Sequence, residues 1–376
     1  MPSPAEEGSG EPHLSSGEDG PLLSWLAPTS GGDHALRVAR WTGAAWGEPV
    51  TVTTRERFFV NWADFPSVVE IDGTVVAHWL ERGEGGGYDY GVKLALSDDG
   101  ARTWSGPLTP HTDGTPTEHG FVSTFPHPGG GVGVVWLDGR RYHDRPEAPA
   151  TDEMTLRSRR VGPGGELGPE ELLDGRTCDC CQTDAALTAR GPLVVYRDRS
   201  ADEIRDVHVT RLVDGRWTEG VPVHEDGWEI AACPVNGPAV DAANDDVVVA
   251  WFTAAGDAPS VQVAFSGDAG ATFGSPIRVD DGRPAGRVDV SRLADGSAVV
   301  SWIERVGDGR AELRVRRVDP EGGARASSSV SAASAERAGG FPQMLLHDGR
   351  LLFAWTEVSA DAGQRVRTAM AEPGAS

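Results

Sequence analysis

The chain is poor in several residue types, and each shortage excludes something. Lys93 is the only lysine among 34 basic residues, against 57 carboxylates, which leaves a formal charge of −23. Such a surface repels phosphate backbones and anionic lipid, so neither nucleic acid nor membrane is expected as a partner. No apolar run approaches the length of a membrane span, and no long amphipathic helical period is visible. Residues 1–10 are acidic and small and lack a basic stretch followed by an apolar one. No signal peptide is therefore expected, a cytoplasmic location is predicted, and these ten residues read as a disordered tail. Cysteine is scarce at four. In a reducing compartment those four are more readily thiols or metal ligands than structural disulfides.

What is abundant is turn-forming residues, with 49 glycines and 26 prolines set between short apolar runs. That pattern reads as many short strands, an all-β fold. One unit recurs: an apolar run ending in an aromatic. Its instances end at Trp25, Trp79, Trp136, Tyr196, Trp251, Trp302 and Trp355, at steps of 51–60 residues. Thirteen residues before these lie Pro12, Pro66, Ser123, Thr183, Pro238, Asp289 and Pro342. We read the second series as the start of each innermost strand, and the aromatic as a residue of the second strand packing between blades. Residues 11–372 then form one β-propeller of seven four-stranded blades, with six as the alternative. The ring could close by pairing of the chain ends within one blade.

Two segments carry a family resemblance. Ser97-Asp98-Asp99-Gly100-Ala101-Arg102-Thr103-Trp104 and Ser266-Gly267-Asp268-Ala269-Gly270-Ala271-Thr272-Phe273 resemble the Asp-box of bacterial sialidases. The resemblance implies a sialidase-like propeller, with the motif as a structural hairpin on the face away from the active site. The sialidase catalytic pattern does not accompany it. Ala63-Asp64-Phe65-Pro66 has Asp where that family places an arginine, and no tyrosine follows Tyr196 to act as nucleophile. Sialidase activity is expected to be absent.

In a propeller, the segments leading into the innermost strands and the loops after the second strands open on one face. Here they contain Asn61, Trp62 and Asp64, then Glu118 and His119, then Cys178, Cys180, Cys181 and Gln182. Cys233 and Asn236 follow, then Arg287, while the second-strand loops add Asp138, Arg140, Arg199 and Glu203. All four cysteines fall in this class of position. Thiolates beside an imidazole favour a soft or borderline metal, so Cys178, Cys180, Cys181, Cys233 and His119 are candidate ligands for copper, with zinc as alternative. In an extended strand Cys178 and Cys180 share one side while Cys181 points to the other. A disulfide to Cys233, or simple packing, stays open beside the metal.

The leading expectation is a copper-dependent oxidoreductase acting on a small polar substrate, as a monomer. Asp64, Glu118 and Arg287 are its catalytic candidates. Asn61, Trp62, Asp138, Arg140, Arg199, Gln182 and Asn236 are its substrate-binding candidates. The alternatives are a glycoside hydrolase working through paired carboxylates, drawn from Asp64, Glu118, Asp138 and Glu203, or a non-catalytic binding propeller.

Overall fold

The computed structural model describes residues 1–144, 149–307, 309–359 and 363–373. It is a seven-bladed β-propeller with almost no helix. The innermost strands are Gly10–Ser15, Ser67–Ile71, His119–Pro126, Asp184–Thr188, Ala239–Ala243, Pro284–Arg292 and Gln343–His347. Each touches the next around the ring, and the last touches the first. Every blade is an antiparallel meander running outward from its inner strand.

The repeated aromatic lies on the second strand of each blade, buried in every case. Between blades these side chains meet apolar residues of the neighbouring sheet. Among the described residues, seven apolar clusters fill the seven seams, one per pair of adjacent blades. A propeller has no single core; burial is distributed around the ring, and each blade depends on both neighbours.

A buried indole N–H needs an acceptor. Three of the repeats supply it two residues on in the same strand. Trp136 Nε1 donates to Asp138 at 2.7 Å, Trp302 Nε1 to Glu304 at 2.6 Å and Trp79 Nε1 to Glu81 at 3.4 Å. Trp251 instead reaches Asp226 at 2.7 Å, and Trp25 reaches Glu6 at 2.9 Å.

The last contact corrects the expectation of a disordered tail. Gly8 N donates to Gln364 O at 2.8 Å, and Val366 N donates to Ser9 Oγ at 3.1 Å. Residues before the first inner strand thus lie along Gly363–Ala371, the outer edge of blade seven. The two chain ends close the ring in one blade. The tail looked disordered because the strand edge it lies on, at Gln364 and Val366, is more than 350 residues away.

The two hairpins that resemble Asp-boxes join third strands to outer edges, on the face opposite the mouth. Asp99 Oδ1 accepts Thr103 N at 2.9 Å, and Asp99 Oδ2 accepts Thr103 Oγ1 at 2.6 Å. Asp268 repeats both bonds with Thr272 at 2.9 and 2.7 Å. Asp98 is exposed and lies outside this network. Ala101 takes φ 72° where the second copy has Gly270 at φ 74°.

Candidate active site at the mouth

Most polar residues expected to meet a substrate are engaged in holding the mouth together. Asn61 Oδ1 caps its own turn, accepting Ala63 N at 2.8 Å. Gln182 Nε2 donates to Ala63 O at 2.5 Å while its Oε1 accepts Gly237 N at 3.0 Å. Asn236 Oδ1 accepts Arg287 N at 2.7 Å. Asp64 does the same three seams earlier in the ring: its Oδ1 accepts Phe121 N at 2.7 Å and its Oδ2 accepts Tyr90 OH at 2.9 Å. Phe121 and Arg287 both carry positive φ, at 52° and 57°. The residues before them are glycines, because a Cβ on Gly120 or Gly286 would strike the Asp64 or Asn236 carbonyl-type oxygen. These are repeated backbone clasps between blades.

Asp64 is therefore not the exposed catalytic carboxylate that the sequence suggested. Burial pushes its carboxyl up to about 7, against the two hydrogen bonds that favour the ionised form. Arg287 is also displaced from its expected role. It is buried, its guanidinium lies 5.0 Å from the centre of the Trp62 ring, and it donates to the carbonyls of Ser334, Ala335 and Glu336. Trp62 in turn stacks on Phe341 with ring centres 5.8 Å apart.

Asp138 and Arg140 form a buried bidentate pair at 2.6 Å for each bond, and Arg140 also reaches Glu170 at 2.7 Å. His119 belongs to this lattice and not to the cysteines. Its Nδ1 meets Thr117 O at 3.0 Å, its Nε2 meets Asp113 at 3.0 Å, and its ring stacks on His111 at 3.9 Å. With both nitrogens engaged, it has no lone pair directed at a thiolate-bound ion. Arg199 is clamped to Glu203 at 2.8 Å and to Asp152 O at 2.7 Å. Glu203 is gripped by three arginines, Arg176, Arg199 and Arg205, and the Arg199 hydrogen bond first among these holds its carboxyl down at about 2.

Glu118 is different. Its side chain has no hydrogen bond or ion pair among the described residues, while its backbone carbonyl accepts Gly139 N at 2.8 Å. Burial, then the charges of Asp179 and Asp64, push its carboxyl up to about 8. Tyr142 stands beside it. A Cβ at Gly139 would lie 3.1 Å from both Glu118 Cγ and Tyr142 Cδ2. The Tyr142 hydroxyl is pushed well up by burial, then by the Asp179 and Glu118 charges. Asp179, whose charge acts on both, accepts Arg205 Nη1 at 3.1 Å through its Oδ1.

Tyr142 and Asp179 were not singled out from sequence. Asp179 sat inside the cysteine run, which was the available signal. Tyr142 ends a short 3-10 turn, Arg140–Tyr142, just past the loop the register marked.

The cysteines do converge. Cys178 Sγ lies 3.3 Å from Cys181 Sγ and 3.8 Å from Cys180 Sγ. A bend at 179–180 folds Cys181 back toward Cys178, so the strand-based expectation that Cys181 points away is wrong. Cys233 approaches from blade five, within 4.8 Å of both Cys180 and Asp179.

No family model matches the chain, and no curated protein matches it. Solved structures do. A protein of unknown function from Dyadobacter fermentans DSM 18053 aligns with TM-score 0.53 at 15% identity, over 96% of this chain and 94% of that one. The polysaccharide lyase Uly1 aligns with TM-score 0.55 at 10% identity, over 96% and 90%. The likeness is one of fold. At these identities the propeller is shared and the chemistry is not thereby transferred.

Proposed function

We propose that this propeller is a carbohydrate-active enzyme that cleaves a glycosidic bond at its mouth, with Glu118 as general acid. The observation that carries the reading is the unpartnered Glu118 carboxyl, lifted to about 8 beside Tyr142 and Asp179. A carboxyl protonated at neutral pH next to a second carboxylate is the arrangement that glycoside hydrolysis requires. In the proposed step Glu118 gives its proton to the bridging oxygen as the C–O bond breaks. Water adds to the anomeric carbon, and its proton passes to Asp179, which Arg205 positions.

This replaces the copper oxidoreductase as the leading reading, since neither His119 nor Arg287 is available for that chemistry. The propeller shared with a polysaccharide lyase is compatible with either hydrolysis or elimination. Hydrolysis of a neutral linkage is favoured by the arginines. Arg140, Arg199, Arg205 and Arg287 are all bound to protein acceptors, so none of them is offered to a uronate carboxylate.

The test is a panel of neutral and uronate-bearing glycans. New reducing ends without ultraviolet absorbance support hydrolysis, and an unsaturated absorbing product means elimination instead. Glu118→Gln should lower the rate about 100- to 10,000-fold, the usual range for loss of a general acid. An unchanged rate refutes the assignment.

A further inference from the structure

Outside the acid–base group, the densest unassigned chemistry is the cysteine cluster. We propose that Cys178, Cys180 and Cys181 bind one thiolate-preferring cation, Cu(I) or Zn(II), with Cys233 as the fourth sulfur.

The spacing suits an ion. Sulfurs bound to one zinc at about 2.3 Å stand roughly 3.7 Å apart in a tetrahedron. The observed separations from Cys178 are 3.3 and 3.8 Å, and the three sulfurs all lie within 4.8 Å of one another. Cys180 is shared with a second group, Asp179 and Cys233, so a small movement of the exposed Cys233 brings in a fourth donor.

The charge is arranged for thiolates. Arg205, almost fully buried, places Nη1 3.3 Å from Cys178 Sγ and 3.1 Å from Asp179 Oδ1. Three thiolates around Cu(I) leave an excess of negative charge in a low-dielectric place, and a fixed guanidinium offsets part of it.

The scaffold is fixed. Cys178 N donates to Arg197 O at 3.0 Å, which ties the loop to the second strand of blade four. Arg197 is itself buried and holds Asn236 O at 2.9 Å, the segment that carries Cys233. Two blades thus present their sulfurs through one arginine. Cys178 and Cys181 are buried while Cys233 is exposed, so the mouth is the route by which an ion arrives.

The site does not depend on the glycosidic reading, and its test needs no turnover. The full chain is purified without chelator or metal column, and copper and zinc are counted by plasma mass spectrometry. Metal-depleted protein is then titrated with Cu(I) or Zn(II) alone. The expected result is one ion per chain, protection of at least three thiols from alkylation, and loss of both in Cys180→Ser and Cys181→Ser. Circular dichroism should stay β-rich. Cys180 is only partly buried, so Cys180→Ser remains informative if Cys181→Ser fails to fold. Protein that takes up neither ion, or that holds it fully in Cys180→Ser, overturns the proposal. So does a count of two free thiols in unreduced protein, which means a disulfide.

Discussion

Trp25 Nε1 donates to Glu6 Oε2 at 2.9 Å, joining the second strand of blade one to the segment that completes blade seven. In blades two, three and six the acceptor for this indole stands two residues on in the same strand. At the seam where the ring closes, the N-terminal segment delivers it.

Glu6→Ala should therefore destabilise the whole ring by about 1–3 kcal/mol, the cost of leaving a buried donor without its acceptor. Chemical denaturation measures it. Removing residues 1–8 should cost more, because Gly8 N to Gln364 O and the packing of buried Ala5 go with it. A truncated protein as stable as the full chain would show that closure does not use these contacts.

The rate of glycan cleavage should fall as pH rises through about 8, where Glu118 loses its proton. The sign follows from the role, since a general acid works only in its protonated form. Gly139→Ala should lower the rate as well, because a Cβ there meets both Glu118 and Tyr142 at 3.1 Å. A rate that rises through that same range would make Glu118 a base.

Asp64→Asn should leave the fold intact, since an amide can still accept Phe121 N and donate to the Tyr90 oxygen, while it removes one of the charges that raise Glu118. It should also change the pH dependence of stability. The folded carboxyl is raised from 3.8 to about 7. Its contribution is full below the unfolded value and is lost as pH rises through the folded one. The variant lacks that loss. Its advantage over the parent should grow across this window, by on the order of a few kcal/mol. Melting temperatures at matched pH check it, and a constant difference would contradict it.

Asp99→Ala should lower the melting temperature by a few degrees with no change in turnover per folded molecule. Asp98→Ala should do nearly nothing. Asp99 binds both the amide and the hydroxyl of Thr103, whereas Asp98 meets only Thr74 Oγ1 at 3.5 Å. Equal effects would mean that the hairpin is held otherwise.

The ring was readable from the sequence because a propeller repeats itself. Trp25, Trp79, Trp136, Tyr196, Trp251, Trp302 and Trp355 recur at near-constant spacing, since each fills the same seam in the next blade. Spacing also assigned Glu118 and all four cysteines to the mouth, because topology sends those segments there.

Which polar groups are free was decided only by the tertiary structure. Asp64, Asn236, Arg287, His119 and Glu118 are alike in sequence position and chemical promise. Four of them are engaged by atoms 2 to 57 residues away, or by more than one blade, and Glu118 is not. A hydrogen bond is satisfied by whatever lies within about 3 Å, and chain distance carries no record of that. The N-terminal segment makes the same point. Its composition is that of a tail, and its order comes from an indole and a strand edge that only ring closure brings beside it.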